Sequence, residues 1–193
     1  MMHSDIKSRP AYQALAPDLA GSRHLLVIEG DALPPGRLAT LSNTFAPVAD
    51  SLHTWLTGAP AAEGIAGKLW QLGSVEDVLD TLACATRGYG MGDRLYVLGT
   101  EPFLWSVAGA AALIGFGPGQ LQLEHAGSLR RRVWCTHCHV TTENVTTGIV
   151  ACRGCSRHLL VRDHFSRRLG AFMGVMVDAE APGEIPAIEE VFA

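Results

Sequence analysis

Arg94-Leu-Tyr-Val-Leu98-Gly99-Thr100-Glu101-Pro-Phe-Leu104 is the stretch that decides the fold. Leu95–Leu98 is a short apolar run closed by glycine, which reads as a buried strand. Gly99-Thr100 then opens a helix from about Glu101 to Gly115, with Thr100 of a type that caps helix N-termini. After the Gly117-Pro-Gly119 turn, Leu121-Gln-Leu-Glu124 reads as the next strand. Upstream, His24-Leu-Leu-Val-Ile28 is another continuous apolar run ending near Gly30. Pro34-Pro-Gly36 precedes a helix to about Phe45, and Leu52–Leu56 and Lys68–Leu72 are further strands flanking a Gly/Ala/Pro linker at 58–67. Ser74-Val-Glu-Asp77 is an Asp variant of the capping box before Val78, Leu79 and Leu82, and that helix stops at Gly88-Tyr-Gly90. Cys84 is assigned to its apolar side. Strands alternating with helices predict an α/β fold with a parallel sheet and helices on both faces.

Downstream, Cys135-Thr-His-Cys138 and Cys152-Arg-Gly-Cys155 are separated by thirteen residues. Two C-x-x-C pairs at this spacing form a closed tetrahedral thiolate cage, a zinc ribbon with ligands Cys135, Cys138, Cys152 and Cys155. Four thiolates leave no open position, so zinc there holds structure. Iron uses the same ligands, but its knuckles favour glycine after the second cysteine, where His139 and Ser156 stand. Cys135-Thr-His-Cys138-His139 also spells a haem attachment string; that reading requires export, for which Met1–Pro10 offers no apolar region, and it leaves Cys152 and Cys155 unexplained. Val140–Ala151 is expected to be two strands around a Thr-Glu-Asn turn. A short helix near Asp163–Phe172 is expected next, with Asp163 and His164 as a hydrogen-bonded pair. The predicted organisation is an N-terminal arm (1–20), a Rossmann-like α/β domain (21–128), the ribbon with its short helix (129–175) and an acidic tail (176–193) able to dock through Val191 and Phe192.

The chain has 193 residues, 48% hydrophobic and 18% charged, enough for a sizeable core plus a small satellite. No apolar run reaches transmembrane length, and the cysteine usage fits a reducing cytoplasm. The net charge of −4 is uneven: residues 129–168 carry eight arginines against Glu143 and Asp163, for +6, leaving −10 elsewhere. Arg153, Arg157, Arg162, Arg167 and Arg168 are therefore candidates for docking an acidic partner surface or phosphate groups, the alternative being a solvated face. Basic zinc ribbons also bind nucleic acid, with Trp134 and Phe165 as stacking candidates. An acidic chain with only Lys7 and Lys68 as lysines weighs against that reading.

Two resemblances add to this. Leu95-Tyr-Val-Leu-Gly-Thr-Glu-Pro-Phe-Leu104, the alanine-rich helix, Gly115 and Leu121-Gln-Leu-Glu124 resemble the last βαβ unit of the ferredoxin–NADP reductase superfamily. The resemblance implies nicotinamide or flavin binding, and electron transfer, at Gly99, Thr100 and Leu104. Leu98 stands where that family has cysteine, and Glu29 and Asp31 follow the first strand in place of a glycine cluster, where they repel phosphate. Secondly, Ile6-Lys-Ser-Arg-Pro10, Arg23-His-Leu-Leu-Val27 and the four cysteines continuing as Ser156-Arg-His-Leu-Leu-Val-Arg-Asp-His-Phe-Ser-Arg-Arg-Leu-Gly-Ala171 look like the small subunit of bacterial dimethylamine monooxygenases. That resemblance implies a subunit without transferable catalytic residues, working beside a flavin and iron–sulfur reductase and a haem-containing demethylase subunit. The implied reaction oxidises dimethylamine with NADPH and O2 to methylamine and formaldehyde.

Overall fold

A computed structural model describes residues 8–58, 65–84 and 89–193. Residues 59–64 of the expected linker, the expected helix stop at Gly88, and Ile6-Lys7 lie outside the described residues. The chain divides into two units: one spans Tyr12–Gly127, the other Ser128–Ala193 together with the described residues up to Ala11.

The first unit contains β1 (Arg23–Glu29), α1 (Arg37–Phe45), β2 (Leu52–Thr57), β3 (Lys68–Leu72), α2 (Val75–Cys84), β4 (Asp93–Gly99), α3 (Glu101–Leu113) and β5 (Leu121–His125). The strands form one sheet in the order β3-β2-β1-β4-β5, every neighbouring pair parallel. Alternation along β1 explains its unbroken apolar run. Leu25 and Val27 pack with Val78, Leu82, Phe103, Leu104 and Val107 of α2 and α3, while Leu26 and Ile28 pack with Leu41 and Phe45 of α1. A strand covered on both faces must be apolar at every position.

The segment before β1 is tied to side chains of β4 and β5. The Leu15 and Ala16 amides donate to the side chains of Glu124 (2.6 Å) and Gln122 (3.2 Å), and Arg94 pairs with Asp18 at 2.5 Å. Leu15 packs with Leu26, Ile28, Leu41 and Tyr96, so the arm lies on the α1 face of the sheet. Ser74 caps α2 as read, its hydroxyl accepting from the Asp77 amide at 3.1 Å, while the Asp77 carboxylate reaches back to the Gly73 amide. Cys84 is exposed, contrary to expectation. The buried positions Val78 and Leu82 lie four apart, and two residues beyond Leu82 the helix has turned about 200° away.

His24 is buried at the foot of β1. Its ring stacks on Tyr96 at 17°, its Nδ1 lies 3.1 Å from the Tyr96 hydroxyl, and its Nε2 has no hydrogen-bond partner among the described residues. Burial holds its pKa below the usual histidine value, with the Gly21 backbone pulling the other way and Arg94 adding to the depression. The unfolded chain thus takes up a proton that the folded one resists. This contribution to stability is complete above about pH 6.5 and lost as the pH falls through the lower folded-state value. His24→Asn, which keeps a partner for Tyr96, is expected to flatten the melting temperature between about pH 6.5 and pH 5. An unchanged slope would assign the acid sensitivity elsewhere.

The second unit is a five-stranded sheet of β6 (Arg131–Cys135), β7 (Thr141–Val145), β8 (Ile149–Ala151), β9 (His158–Ser166) and β10 (Ala171–Met176), in the order β7-β6-β10-β9-β8. The expected helix at Asp163–Phe172 is absent: that segment is the end of β9, a turn through Gly170 (φ 58°) and the start of β10. Leu159, Val161 and Phe165 are buried and fall on one face of a strand's two-residue alternation, with the half-buried Asp163 between the last two. Val140–Ala151 is also not a hairpin. β7 pairs with β6 and β8 with β9, at opposite edges of the sheet, and Glu143 and Asn144 lie inside β7.

Only Thr146, Thr147 and Gly148 join those two edges. A flat sheet of five strands would hold them about 19 Å apart, whereas the four steps from Val145 to Ile149 reach at most about 14 Å. The sheet must therefore curl. The C-terminal tail fills the seam: the Val191 and Phe192 amides donate to the Thr146 carbonyl (2.8 and 2.7 Å), and the Gly148 amide to the Glu189 carbonyl (3.0 Å). Phe192 is buried and Val191 exposed.

Candidate metal centre

Cys135 ends β6, and Cys152 follows β8. Each begins a tight turn built by the same hydrogen bonds. The His139 amide donates to the Cys135 carbonyl (3.0 Å) and the Ser156 amide to the Cys152 carbonyl (2.9 Å). The Cys135 amide donates to the Val140 carbonyl (3.0 Å) and the Cys152 amide to the Arg157 carbonyl (2.8 Å). His139 and Ser156 both adopt left-handed backbone (φ 63° and 59°), so these are two copies of one knuckle. The glycine that iron knuckles favour is replaced, but the conformation that glycine serves is kept.

The four Sγ atoms lie within 4.8 Å of one another, with Cys135–Cys155 at 3.9 Å and Cys138–Cys152 at 3.5 Å. These separations bracket the roughly 3.8 Å between sulfurs placed tetrahedrally at about 2.3 Å from zinc. A Cβ on Gly154 would stand 2.7 Å from the Val140 side chain and 3.1 Å from Cys138 Sγ, so this position must stay bare for the knuckles to close. The Gly154 amide also donates to Cys152 Sγ at 3.4 Å.

The protonation pattern fits a cation-binding cluster. At Cys138 the Val140 amide draws the thiol down, but burial and three sulfur neighbours outweigh it and push it up to about 12. Cys155 is held at about 6, first by the Arg157 backbone amide against the cost of burial, then by the Arg157 guanidinium and the Cys138 and Cys152 sulfurs. Sulfurs this close cannot all carry charge without a cation among them, and a divalent metal removes that conflict. The cluster is thus a four-cysteine centre of the kind that holds structural zinc. Around it, His139 stacks on Trp134 (4.9 Å, 12°), and His137 Nδ1 lies 3.0 Å from the Arg157 guanidinium.

The other candidate residues are placed differently. Arg153 and Arg157 sit at the second knuckle, Arg162 midway along β9, and Arg167 and Arg168 in the turn beyond it. Nine strand residues put the two ends about 30 Å apart, so these arginines make two groups rather than one patch. Asp163 and His164 do not pair: neighbours on a strand point to opposite faces, and Asp163 instead meets Arg131 at 2.8 Å. Phe165 is buried against Phe172, not available for stacking on bases. At the reductase-like positions, Leu104 is fully buried. The Thr100 hydroxyl makes no cap to α3; it donates, as does the Thr100 amide, to Glu29 Oε2, both at 2.7 Å.

Arg131 is a structural residue the sequence reading passed over. Its guanidinium lies 3.8 Å from the ring centroids of both Phe172 and Phe192, clamped between them and paired with Asp163. A signal was present: Arg131, Val133 and Cys135 alternate along β6, placing the arginine on the buried face.

Fold and centre together define a two-unit chain: an all-parallel α/β sheet, and a curled β sheet that carries a four-cysteine centre. Residues 132–175, which include both knuckles, match the family described as dimethylamine monooxygenase subunit DmmA-like, C-terminal domain. Over 109 residues the chain is 33% identical to the heme-dependent oxidative N-demethylase delta subunit of Ectopseudomonas mendocina (strain ymp), covering 56% of this chain and 62% of that relative. The chain therefore aligns with less than two thirds of that relative's length. Among solved structures, an intact type IV self-sufficient cytochrome P450 monooxygenase superposes with a TM-score of 0.42 at 13% identity (83% of this chain, 26% of that one). The flavohemoglobin from Malassezia yamatoensis with bound FAD and heme gives 0.37 at 12% identity (56% and 32%). At these scores neither likeness bears on function. Among the described residues no helix is long and apolar enough to cross a membrane.

Proposed function

We propose that this chain is an accessory subunit of a haem-dependent oxidative N-demethylase of the dimethylamine monooxygenase type, serving assembly rather than bond-breaking chemistry. The observation that carries this reading is the match of residues 132–175, both knuckles included, to the DmmA-like C-terminal domain. The relative's name, a delta subunit of such an enzyme, points the same way. In the assembled enzyme, partner subunits would supply haem, flavin and iron–sulfur clusters, and oxidise dimethylamine with NADPH and O2 to methylamine and formaldehyde. Zinc on Cys135, Cys138, Cys152 and Cys155 would lock the knuckles, as a closed thiolate site does. The α/β unit, with its all-parallel sheet, would serve as scaffold.

The exposed Arg167 and Arg168 would dock a partner's carboxylates, with Arg153 and Arg157 as a second, separate contact. Guanidinium forks suit this role, and exposed charge at an interface rim governs association. Tagged protein purified from cells growing on dimethylamine is expected to bring the haem and flavin/iron–sulfur subunits with it, together with NADPH- and dimethylamine-dependent oxygen uptake. Recovery of the chain alone would overturn the subunit reading. Reversing Arg167 and Arg168 to glutamate is expected to weaken this assembly about tenfold or more without altering the fold. An unchanged complex on a sizing column would remove these residues from the interface.

A further inference from the structure

The reductase resemblance places a nicotinamide nucleotide at the carboxyl ends of β1 and β4, the two strands between which the order β3-β2-β1-β4-β5 changes direction. Open α/β sheets bind their ligands at such a crevice. Here the chain itself fills it. Glu29, the last residue of β1, accepts through Oε2 from the Thr100 amide and the Thr100 hydroxyl, each at 2.7 Å. These donors open the 13-residue α3, the place where a helix N-terminus holds a ligand's anionic group.

Gly99 closes the space further. A Cβ there would lie 2.7 Å from both Glu29 Cβ and Glu29 Oε2, and 2.9 Å from Phe103. The backbone is pressed against the carboxylate with no gap for a second anion. The Glu101 side chain at the start of α3 is engaged as well. Tyr12 donates to Glu101 Oε1 (2.7 Å), accepts from Trp105 Nε1 (2.9 Å) and stacks on His125, the register partner of Gly99. Asp31, just beyond Glu29, adds negative charge at the same end of the sheet.

We propose that Glu29 is a built-in stand-in for a ligand's anionic group: it occupies the cradle formed by Gly99, Thr100 and the start of α3, and the α/β unit takes no nicotinamide nucleotide because of it. The site that fold and resemblance would give to a cofactor is used instead to tie β1 to α3. This inference does not depend on which complex the chain joins.

The test titrates NADPH, NADP+ and inorganic phosphate into the full-length protein, wild type, Glu29→Gln and Glu29→Ala, with amide resonances and melting temperature as readouts. Wild type is expected to show no saturable change at Gly99, Thr100 or Leu104 up to about 1 mM of any of them, a concentration that would reveal even weak binding. Glu29→Ala is expected to melt roughly 5 °C lower, having lost two charge-assisted hydrogen bonds, and to let phosphate move the Thr100 amide saturably. Glu29→Gln, close in shape, covers the case in which the alanine variant does not fold; it is expected to shift the Thr100 amide and lower the melting temperature by less. Saturable NADPH binding at these residues in wild type would overturn the proposal. So would a Thr100 amide indifferent to both substitutions, or a folded Glu29→Ala protein that still ignores phosphate.

Discussion

Cys135→Ser is expected to cost the protein its metal and to unfold the C-terminal unit while leaving the α/β unit's helices in place. The magnitude follows from the site: metal binding contributes on the order of 10 kcal/mol of folding free energy in small zinc modules. The curled sheet has no comparable reserve, because its edges are joined by three residues and its seam is closed by the tail. The two parts can be followed separately because α1, α2 and α3 all belong to the unit Tyr12–Gly127. Helical circular dichroism therefore reports that unit, while amide resonances of β6 to β10 report the other. Wild type should carry one zinc per chain by elemental analysis, and a chelator should reproduce the effect of the substitution. Helix and sheet signals lost together at one temperature would show one cooperative structure, and an unchanged metal content would remove Cys135 from the ligand set.

Arg131→Ala should lower the stability of the C-terminal unit by about 3 kcal/mol. Two desolvated cation–π contacts at 3.8 Å contribute roughly 1–2 kcal/mol each. The pair with Asp163 adds little, since that carboxylate is 38% exposed and screened by water. Arg131→Lys should recover little of the loss, because a compact ammonium cannot lie flat between two rings. Phe192→Ala removes one wall of the clamp, and its effect should be smaller in the Arg131→Ala background than in wild type, as expected of groups that act together. Hydrogen exchange of the β6, β9 and β10 amides measures this. Protection that survives Arg131→Ala would mean that the tail and sheet hold without the clamp.

The contrast between these two sites shows what kind of information a sequence carries openly. The cysteine ligands are legible because metal chemistry demands fixed residue types at short spacing, and the knuckle that joins each pair is a local structure. The five strands and three helices of the α/β unit are legible for a similar reason: two-sided burial writes unbroken apolar runs such as Leu25–Ile28, and each run is bounded by local turn chemistry. Arg131, Asp163 and Phe192 form one clamp from three distant parts of the chain, and no residue among them carries a local mark of its partners. The second half of the strand His158–Ser166, part of the segment where the sequence suggests a short helix, is hard to recognise for a related reason. Its exposed face carries Arg162 and His164, and the buried face opposite is recognisable only as a period of two.

By itself, then, the sequence determined the metal ligands, the α/β class and the element order of the α/β unit, because each depends on contacts between near neighbours or on simple periodicity. Tertiary structure alone decided that β7 and β8 sit at opposite edges of one curled sheet, that the tail closes its seam, and that Glu29 reaches Thr100. Those outcomes depend on contacts such as Val133 with Phe172, Thr146 with Glu190 and Glu29 with Thr100, between residues far apart in the chain, whose energies exist only once the chain has brought them together.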